Sequence, residues 1–169
     1  MTSAPLFNES REDDDDDDDD DRDDDDSDEF LSCPVAPQRV ASRVIGRAGG
    51  TITVGRHSLR VPSGALSRNV TITATQVAGA HAMVELQPHG LVFAKPARLI
   101  LDFSPCRVPR PTPAMSIAYV TTDTAGAHIQ EFLPTTWLTD DDDDDAELVS
   151  APLNHFSGYV VGWSRTRRR

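Results

Sequence analysis

The segment Val70-Thr-Ile-Thr-Ala-Thr-Gln76 decides the fold class. Its apolar residues fall on one face of an extended chain and its threonines on the other, as a half-buried strand requires. The segment Arg98-Leu-Ile-Leu-Asp-Phe103 is more continuously apolar, which indicates a central strand. Similar short, β-branched runs recur between Gly, Pro and Asn residues roughly every 8–12 positions, a spacing typical of a β-sandwich or barrel. No stretch of about 12 residues shows a helical apolar stripe, so we predict an all-β domain.

The pattern predicts an antiparallel β-sandwich of roughly 8–10 short strands over residues 30–169. Candidate strands are Arg39–Ile45, Thr51–Val54, Ser58–Val61, Val70–Gln76, Met83–Gln87, Arg98–Phe103, Ser116–Val120, His128–Leu133, Glu147–Leu153 and Tyr159–Trp163. Lys95-Pro96 should mark an edge or a strand start, because proline cannot donate to a ladder. The apolar faces predict a buried core that includes Phe93, Leu99, Leu101, Phe103, Phe156 and Trp163.

The charge of the chain is segregated. Residues 1–29 hold 17 acidic side chains and 2 arginines, a net charge of −15, whereas residues 30–169 hold 11 acidic and 14 basic side chains, a net charge of +3. A segment that has nothing to bury and repels itself predicts a disordered tail over residues 1–29. Three roles stay open for this tail: solubilising the protein, capturing a basic partner, or associating with the arginines of its own body.

A second acidic run, the predicted loop 140–145, consists of Asp140, Asp141, Asp142, Asp143, Asp144 and Asp145. Carboxylate oxygens suit hard cations such as calcium, but a dedicated calcium loop needs spaced ligands and a turn glycine. We therefore expect only weak, multi-ion binding at these six residues.

Most catalytic and targeting signals are missing from the sequence. There is no Gly-x-Ser-x-Gly elbow and no phosphate-binding glycine loop, and the five histidines lack metal-ligand spacing, so we expect no cofactor and no specific metal. The N-terminus lacks a secretory signal and no apolar stretch is long enough to span a membrane, which favours the cytoplasm by default. Arg165, Arg167, Arg168 and Arg169 form a basic end, but the tail would compete with phosphate, so nucleic-acid binding is not expected.

Cys33 and Cys106 have no Cys-x-x-Cys spacing and no adjacent histidine. They could form one disulfide if the chain were exported, although sequence alone cannot show that they are close. In the cytoplasm the expectation is two reduced, partly buried thiols.

Four segments, in order along the chain, resemble the ZU-five domain family. They are Ile45-Gly-Arg-Ala-Gly-Gly-Thr-Ile-Thr53, Val61-Pro-Ser-Gly-Ala-Leu66, Leu86-Gln-Pro-His-Gly-Leu-Val-Phe-Ala-Lys-Pro96 and His155-Phe-Ser-Gly-Tyr159. The resemblance implies a β-sandwich that acts in protein–protein interaction or as a structural module. Since one fold hosts many roles, the resemblance does not by itself fix the function.

The triplet His155-Phe156-Ser157 has two interpretations. In some ZU-five proteins the same triplet cleaves its own backbone, which implies attack of the Ser157 hydroxyl on the Phe156 carbonyl with His155 as general base. Such a reaction needs a strained peptide and gives at most one turnover. Alternatively, the triplet is a capping turn in which Phe156 fills the core. We expect a non-catalytic interaction or structural module, with self-processing as the alternative.

Overall fold

The computed structural model describes residues 29–140 and 143–164, without the side chains of residues 139–146. The predicted disordered tail and the basic end Arg165–Arg169 lie outside these residues, apart from Glu29. The cation-binding prediction also depends on side chains outside the description. These three expectations therefore stay predictions.

Within the described residues the chain forms strands and no helix, which confirms the all-β prediction. The twelve strands are β1 Glu29–Phe30, β2 Arg39–Ile45, β3 Gly50–Val54, β4 His57–Val61, β5 Val70–Gln76, β6 Met83–Gln87, β7 Val92–Asp102, β8 Ser116–Asp123, β9 Gly126–Phe132, β10 Thr136–Asp140, β11 Asp143–His155 and β12 Gly158–Trp163. The described residues contain no helix that is long and apolar enough to cross a membrane.

The strands form two antiparallel sheets that pack together. One sheet has seven strands in the order β2-β5-β6-β12-β8-β9, and β1 pairs with β12 beyond the end of β6. The other has five strands in the order β10-β11-β7-β4-β3. β12 therefore lies in the middle of the larger sheet, and β7 in the middle of the smaller one.

Alternation of side chains made several strands predictable. The bounds of β2, β5 and β6 agree with the predicted ones, and in β5 the residues Ile72 and Ala74 are buried while Thr71 is exposed. β7 is longer than predicted because it continues through Pro96. Its pairing with β11 shifts register between Leu153 and His155, and the missing proline N–H is tolerated at this irregularity.

At both ends of the acidic run 140–145 the structure has strand where we expected loop, while Asp141 and Asp142 lie outside the described residues. Asp140 ends β10 and Asp143 begins β11, and these two residues pair across the hairpin. Aspartate is depleted in strands, so composition favoured a loop. Pairing with β10 carries β11 into the acidic run.

The core lies between the two sheets. Five of the six predicted core residues are buried, namely Phe93, Leu99, Leu101, Phe103 and Phe156. The prediction for Trp163 was wrong, because this residue is only half-buried. It ends β12 beyond the last paired residues of β6 and β8, and its strand partner there is Glu29 of β1.

Cys33 and Cys106 form a disulfide, so the expectation of reduced thiols is overturned. The segment after β1 runs antiparallel to the segment after β7, and the N–H of Arg107 donates to the carbonyl of Ser32 at 2.8 Å. This pairing brings the two cysteines together across 73 residues of sequence. Such a long-range contact is set by the sheet topology, which the cysteine spacing does not encode.

Candidate functional site

The His155-Phe156-Ser157 turn is the point where the chain crosses from one sheet to the other. β11 ends at His155 in the five-stranded sheet and β12 begins at Gly158 in the seven-stranded sheet. Phe156 is 2% exposed and packs edge-to-face on Phe93, with 4.9 Å between ring centroids. His155 is exposed and Ser157 is half-buried. The predicted role of Phe156 in filling the core is confirmed.

All three carbonyls of the turn accept hydrogen bonds. The Tyr159 hydroxyl donates to the His155 carbonyl at 2.6 Å, and the Leu86 N–H donates to the Ser157 carbonyl at 3.0 Å. The Gly90 N–H donates to the Phe156 carbonyl at 3.3 Å. A backbone N–H directed at this carbonyl is the kind of donor that stabilises negative charge developing on an acyl oxygen.

The buried Tyr159 holds the turn as a neutral hydroxyl. Burial, with a smaller contribution from neighbouring Tyr119, raises the pKa of Tyr159 well above its ordinary value. The hydroxyl therefore keeps the proton that it donates to His155 throughout the physiological range.

The expected contact between His155 and Ser157 is not formed. The His155 ring lies edge-on to Tyr119 with 5.4 Å between centroids, and in the described part of the chain no hydrogen bond joins it to the Ser157 hydroxyl. No described non-glycine residue has a positive φ, so Phe156 and Ser157 carry no strain of that kind. Self-cleavage at this turn stays a prediction.

A cavity of about 710 Å³ opens beside the turn, and we call it the groove. It runs over β6, β12 and β8, and its lining includes Met83, Val120 and Ala127 together with His155 and Ser157. Its volume is within the range of about 300–1,000 Å³ that is usual for ligand pockets.

A glycine, which has no side chain to fill the cavity, lies in the lining of the groove. Gly158 of β12 pairs with Glu85 of β6 on one side and with Val120 of β8 on the other. A Cβ atom at this position would lie 3.1 Å from Cγ2 of Val120, which is closer than ordinary van der Waals contact. Two of the lining residues, Met83 and Val120, belong with Ala118 and Val160 to a small buried apolar cluster.

A glutamate and a histidine lie together on the wall of the groove. Oε1 of Glu85 and Nε2 of His89 are 3.0 Å apart, and both residues line the cavity together with Gly90. Sequence reasoning did not select Glu85, His89 or Gly90 as site residues. The signal that could have found His89 and Gly90 is their position in the third family-like segment, which folds against the fourth through the Gly90–Phe156 hydrogen bond. Glu85 directly precedes this segment.

His57 is a buried polar residue away from the groove. It is 5% exposed, and its Nδ1 accepts a hydrogen bond from the Asp102 N–H at 3.1 Å. Burial lowers the pKa of His57 to about 4, opposed by the Asp102 carboxylate and reinforced by the Arg56 guanidinium. The imidazole is therefore neutral near pH 7. Among the side chains that the structure describes, no three His, Cys, Asp or Glu residues converge as a metal site.

Comparison with known proteins adds no family assignment. A scan against protein-family models finds no match, and a search of curated proteins finds none with significant similarity. The ZU-five resemblance therefore rests on the four segments alone.

Proposed function

We propose that the chain is a non-catalytic protein-interaction module that binds a segment of a partner protein in the groove. The observation that carries this proposal is the preformed concavity over β6, β12 and β8, whose lining combines apolar side chains with a few polar ones. Apolar clefts with a few convergent polar groups are the usual form of binding sites.

The groove favours an extended segment with one apolar side chain. Met83, Val120 and Ala127 offer an apolar surface for such a side chain, and the Glu85–His89 pair can bind polar groups of the partner's backbone. Glu85 is the only carboxylate among the groove-lining residues, which suits a partner segment with basic character.

A matched pair of variants tests the groove. Ala127→Arg places a long, charged side chain on the half-buried groove wall, whereas Val44→Arg makes the same kind of change at an exposed valine of β2, outside the groove. Proteins cross-linked to the wild-type chain in its native cell should be lost with Ala127→Arg and retained with Val44→Arg. An identical set of cross-linked proteins for both variants would contradict the groove as the binding surface.

The alternative is self-processing, which is favoured by the hydrogen bond from the Gly90 N–H to the Phe156 carbonyl. Ser157 Oγ would attack the carbonyl carbon of Phe156, the C–N bond would break, and the Ser157 amine would take the proton that Oγ loses. Water would then hydrolyse the resulting ester. The general base would be His155 or His89. His89 is a candidate because Glu85 contacts its Nε2 and because the next residue, Gly90, donates its N–H to the Phe156 carbonyl.

Intact-mass measurement separates the two functions. Self-processing predicts a fragment that begins at Ser157, absent from Ser157→Ala and formed orders of magnitude more slowly in His155→Ala or His89→Ala. Full-length protein that persists for days at neutral pH would end this alternative and leave the groove proposal standing.

The disulfide bears on the compartment in which the protein works. Disulfides persist in oxidising compartments and are rare in the reducing cytosol. We infer from the Cys33–Cys106 bond that the domain works in an oxidising compartment and not in the cytoplasm. Alkylation of the unreduced protein, taken directly from its native cell, should leave both cysteines unmodified, whereas modification of both would place the protein in a reducing environment.

A further inference from the structure

Arg60 and Arg98 lie opposite each other in the five-stranded sheet, and Arg43 of β2, in the other sheet, reaches the same level by its side chain. We call these three residues the arginine row. Arg60 of β4 pairs directly with Arg98 of β7 and, on its other side, with Thr51 of β3. Nη1 of Arg43 donates to the Thr51 carbonyl at 2.7 Å, which places a third guanidinium at the β3 edge of the same level. Since neighbouring strands are about 4.8 Å apart, the row extends over at least about 10 Å.

The positive charge of the row is not neutralised by the described part of the chain. All three arginines are exposed, and none lies within ion-pair distance of a described carboxylate. Arg43 donates one side-chain hydrogen bond, to the Thr51 carbonyl, and Arg98 donates one, to the Ser150 hydroxyl. The Arg60 side chain makes none with the described residues. A guanidinium has five N–H donors, so most of the donors in the row are open to a ligand.

Two arginines directly opposite each other in a sheet repel, which makes the row unfavourable unless an anion occupies it. The acidic run of the β10–β11 hairpin cannot supply this anion. Along β11, Arg98 pairs with Pro152, nine residues from Asp143. At roughly 3.4 Å per residue, this separates the row from the hairpin end by about 30 Å.

We propose that the aspartate run Asp13–Asp21 of the same chain docks on the arginine row as an extended, multivalent anion. Nine consecutive carboxylates match a line of unneutralised guanidinium groups. Arginine is suited to this role because it keeps its charge at any physiological pH and can bind a carboxylate through two parallel N–H donors.

The aspartate run can reach the row from the point where the described chain begins. Asp17, in the middle of the run, is 12 residues from Glu29, and an extended chain covers about 40 Å in that length. A compact domain of this size has a radius of gyration of about 14 Å, so a path over half of its circumference is roughly 57 Å. The extended chain from Glu29 to Asp13, 16 residues away, covers about 56 Å, so the N-terminal part of the run can reach even a distant point of the surface. Tethering also gives the run a high effective concentration at the row, so contacts that are individually weak become populated together.

Neutralisation of the run in the full chain tests the docking. The variant replaces each aspartate of Asp13–Asp21 with asparagine. The reporters are the backbone N–H resonances of Thr51, Arg60 and Arg98 and the guanidinium N–H resonances of the two arginines. At about 20 mM salt these resonances should differ between the native and the neutralised chain, and the difference should vanish near 0.5 M salt, where the Debye length is only about 4 Å. Superimposable resonances at low salt would overturn the proposal.

A peptide of nine aspartates, added to the neutralised chain, tests the location. Arg60→Gln with Arg98→Gln should weaken its binding about tenfold, whereas the control pair Arg68→Gln with Arg110→Gln, which removes the same charge from exposed positions elsewhere, should weaken it less than about twofold. Equal weakening by the two pairs, or no binding of the peptide, would refute docking at the row. Far-ultraviolet circular dichroism shows that each variant is folded.

A competing occupant is a nucleic-acid phosphate backbone. If single-stranded RNA shifted the resonances of the row in the native chain at roughly physiological salt, where weak phosphate contacts are screened, the row would prefer phosphate to its own tail. That result would also overturn the proposal. The groove proposal is independent of this outcome, since no residue of the row lines the groove.

Discussion

Protonation of His57 should make the stability of the domain fall with acidity. The native pKa is about 4 because the imidazole is buried, whereas the unfolded value is 6.5. Between these two pH values the unfolded chain binds a proton that the native chain does not, so the stability present above pH 6.5 is lost as the pH falls toward 4. With about 1.36 kcal/mol for each pKa unit, the full effect is about 3 kcal/mol, of which about 2 kcal/mol has been lost by pH 5.

The variant His57→Gln isolates this effect. The glutamine carbonyl can accept the Asp102 N–H in place of Nδ1 but does not titrate. Equilibrium unfolding in urea, at about pH 7.5 and about pH 5, gives the free energy of unfolding for both chains, provided that the transition is two-state. The stability difference between wild type and variant should shift by about 2 kcal/mol in favour of the variant at the lower pH.

Comparison within this pair removes the contribution of carboxylates, which titrate in both chains. His128→Gln, at an exposed histidine, controls for the loss of any histidine. If the difference between wild type and His57→Gln did not change with pH, burial would not control the protonation of His57.

Three further sets of substitutions test the packing. Phe156→Ala should lower the free energy of unfolding by about 3–5 kcal/mol, measured in urea, and a variant as stable as wild type would contradict the core placement of Phe156. Replacement of Cys33 and Cys106 by alanine should cost about 4–5 kcal/mol from the loop closed by the disulfide, and an unchanged midpoint in denaturant would argue against that bond. Gly49→Ala should destabilise the protein more than Gly90→Ala in thermal unfolding. Both glycines have positive φ, but a Cβ atom at position 49 would clash with the Val61 carbonyl oxygen, whereas a Cβ atom at position 90 would meet open space. Equal losses of stability in the two variants would exclude that clash.

Local pattern predicted the strands but not their neighbours in space. The alternation in Val70–Gln76 fixed one strand to the residue, because a half-buried strand needs apolar side chains at every second position. β10, at Thr136–Asp140, was missed because its only strong apolar signal, Trp137-Leu138, is followed directly by aspartates. The partner strand, β11, supplies the ladder that makes it a strand.

The site was predictable only in its local part. His155-Phe156-Ser157 was recognised as a turn with Phe156 in the core, since an aromatic residue between two polar ones before a strand has few other places to lie. The contributions of Glu85 and Gly90 depend on the packing of the β6–β7 connection against this turn, roughly 70 residues away along the chain, and no local pattern encodes such a contact. The pairing of Cys33 with Cys106 was unpredictable for the same reason.

The central position of β12 has a consequence for synthesis of the protein. β6 and β8 are its two long neighbours in the seven-stranded sheet, and both leave the ribosome before it. Until β12 follows, each presents an unpaired edge of N–H and C=O groups, and such edges are sites of aggregation in nascent chains. The larger sheet therefore closes only after translation has passed Trp163, and a nascent chain stalled before that point should require a chaperone to shield the gap.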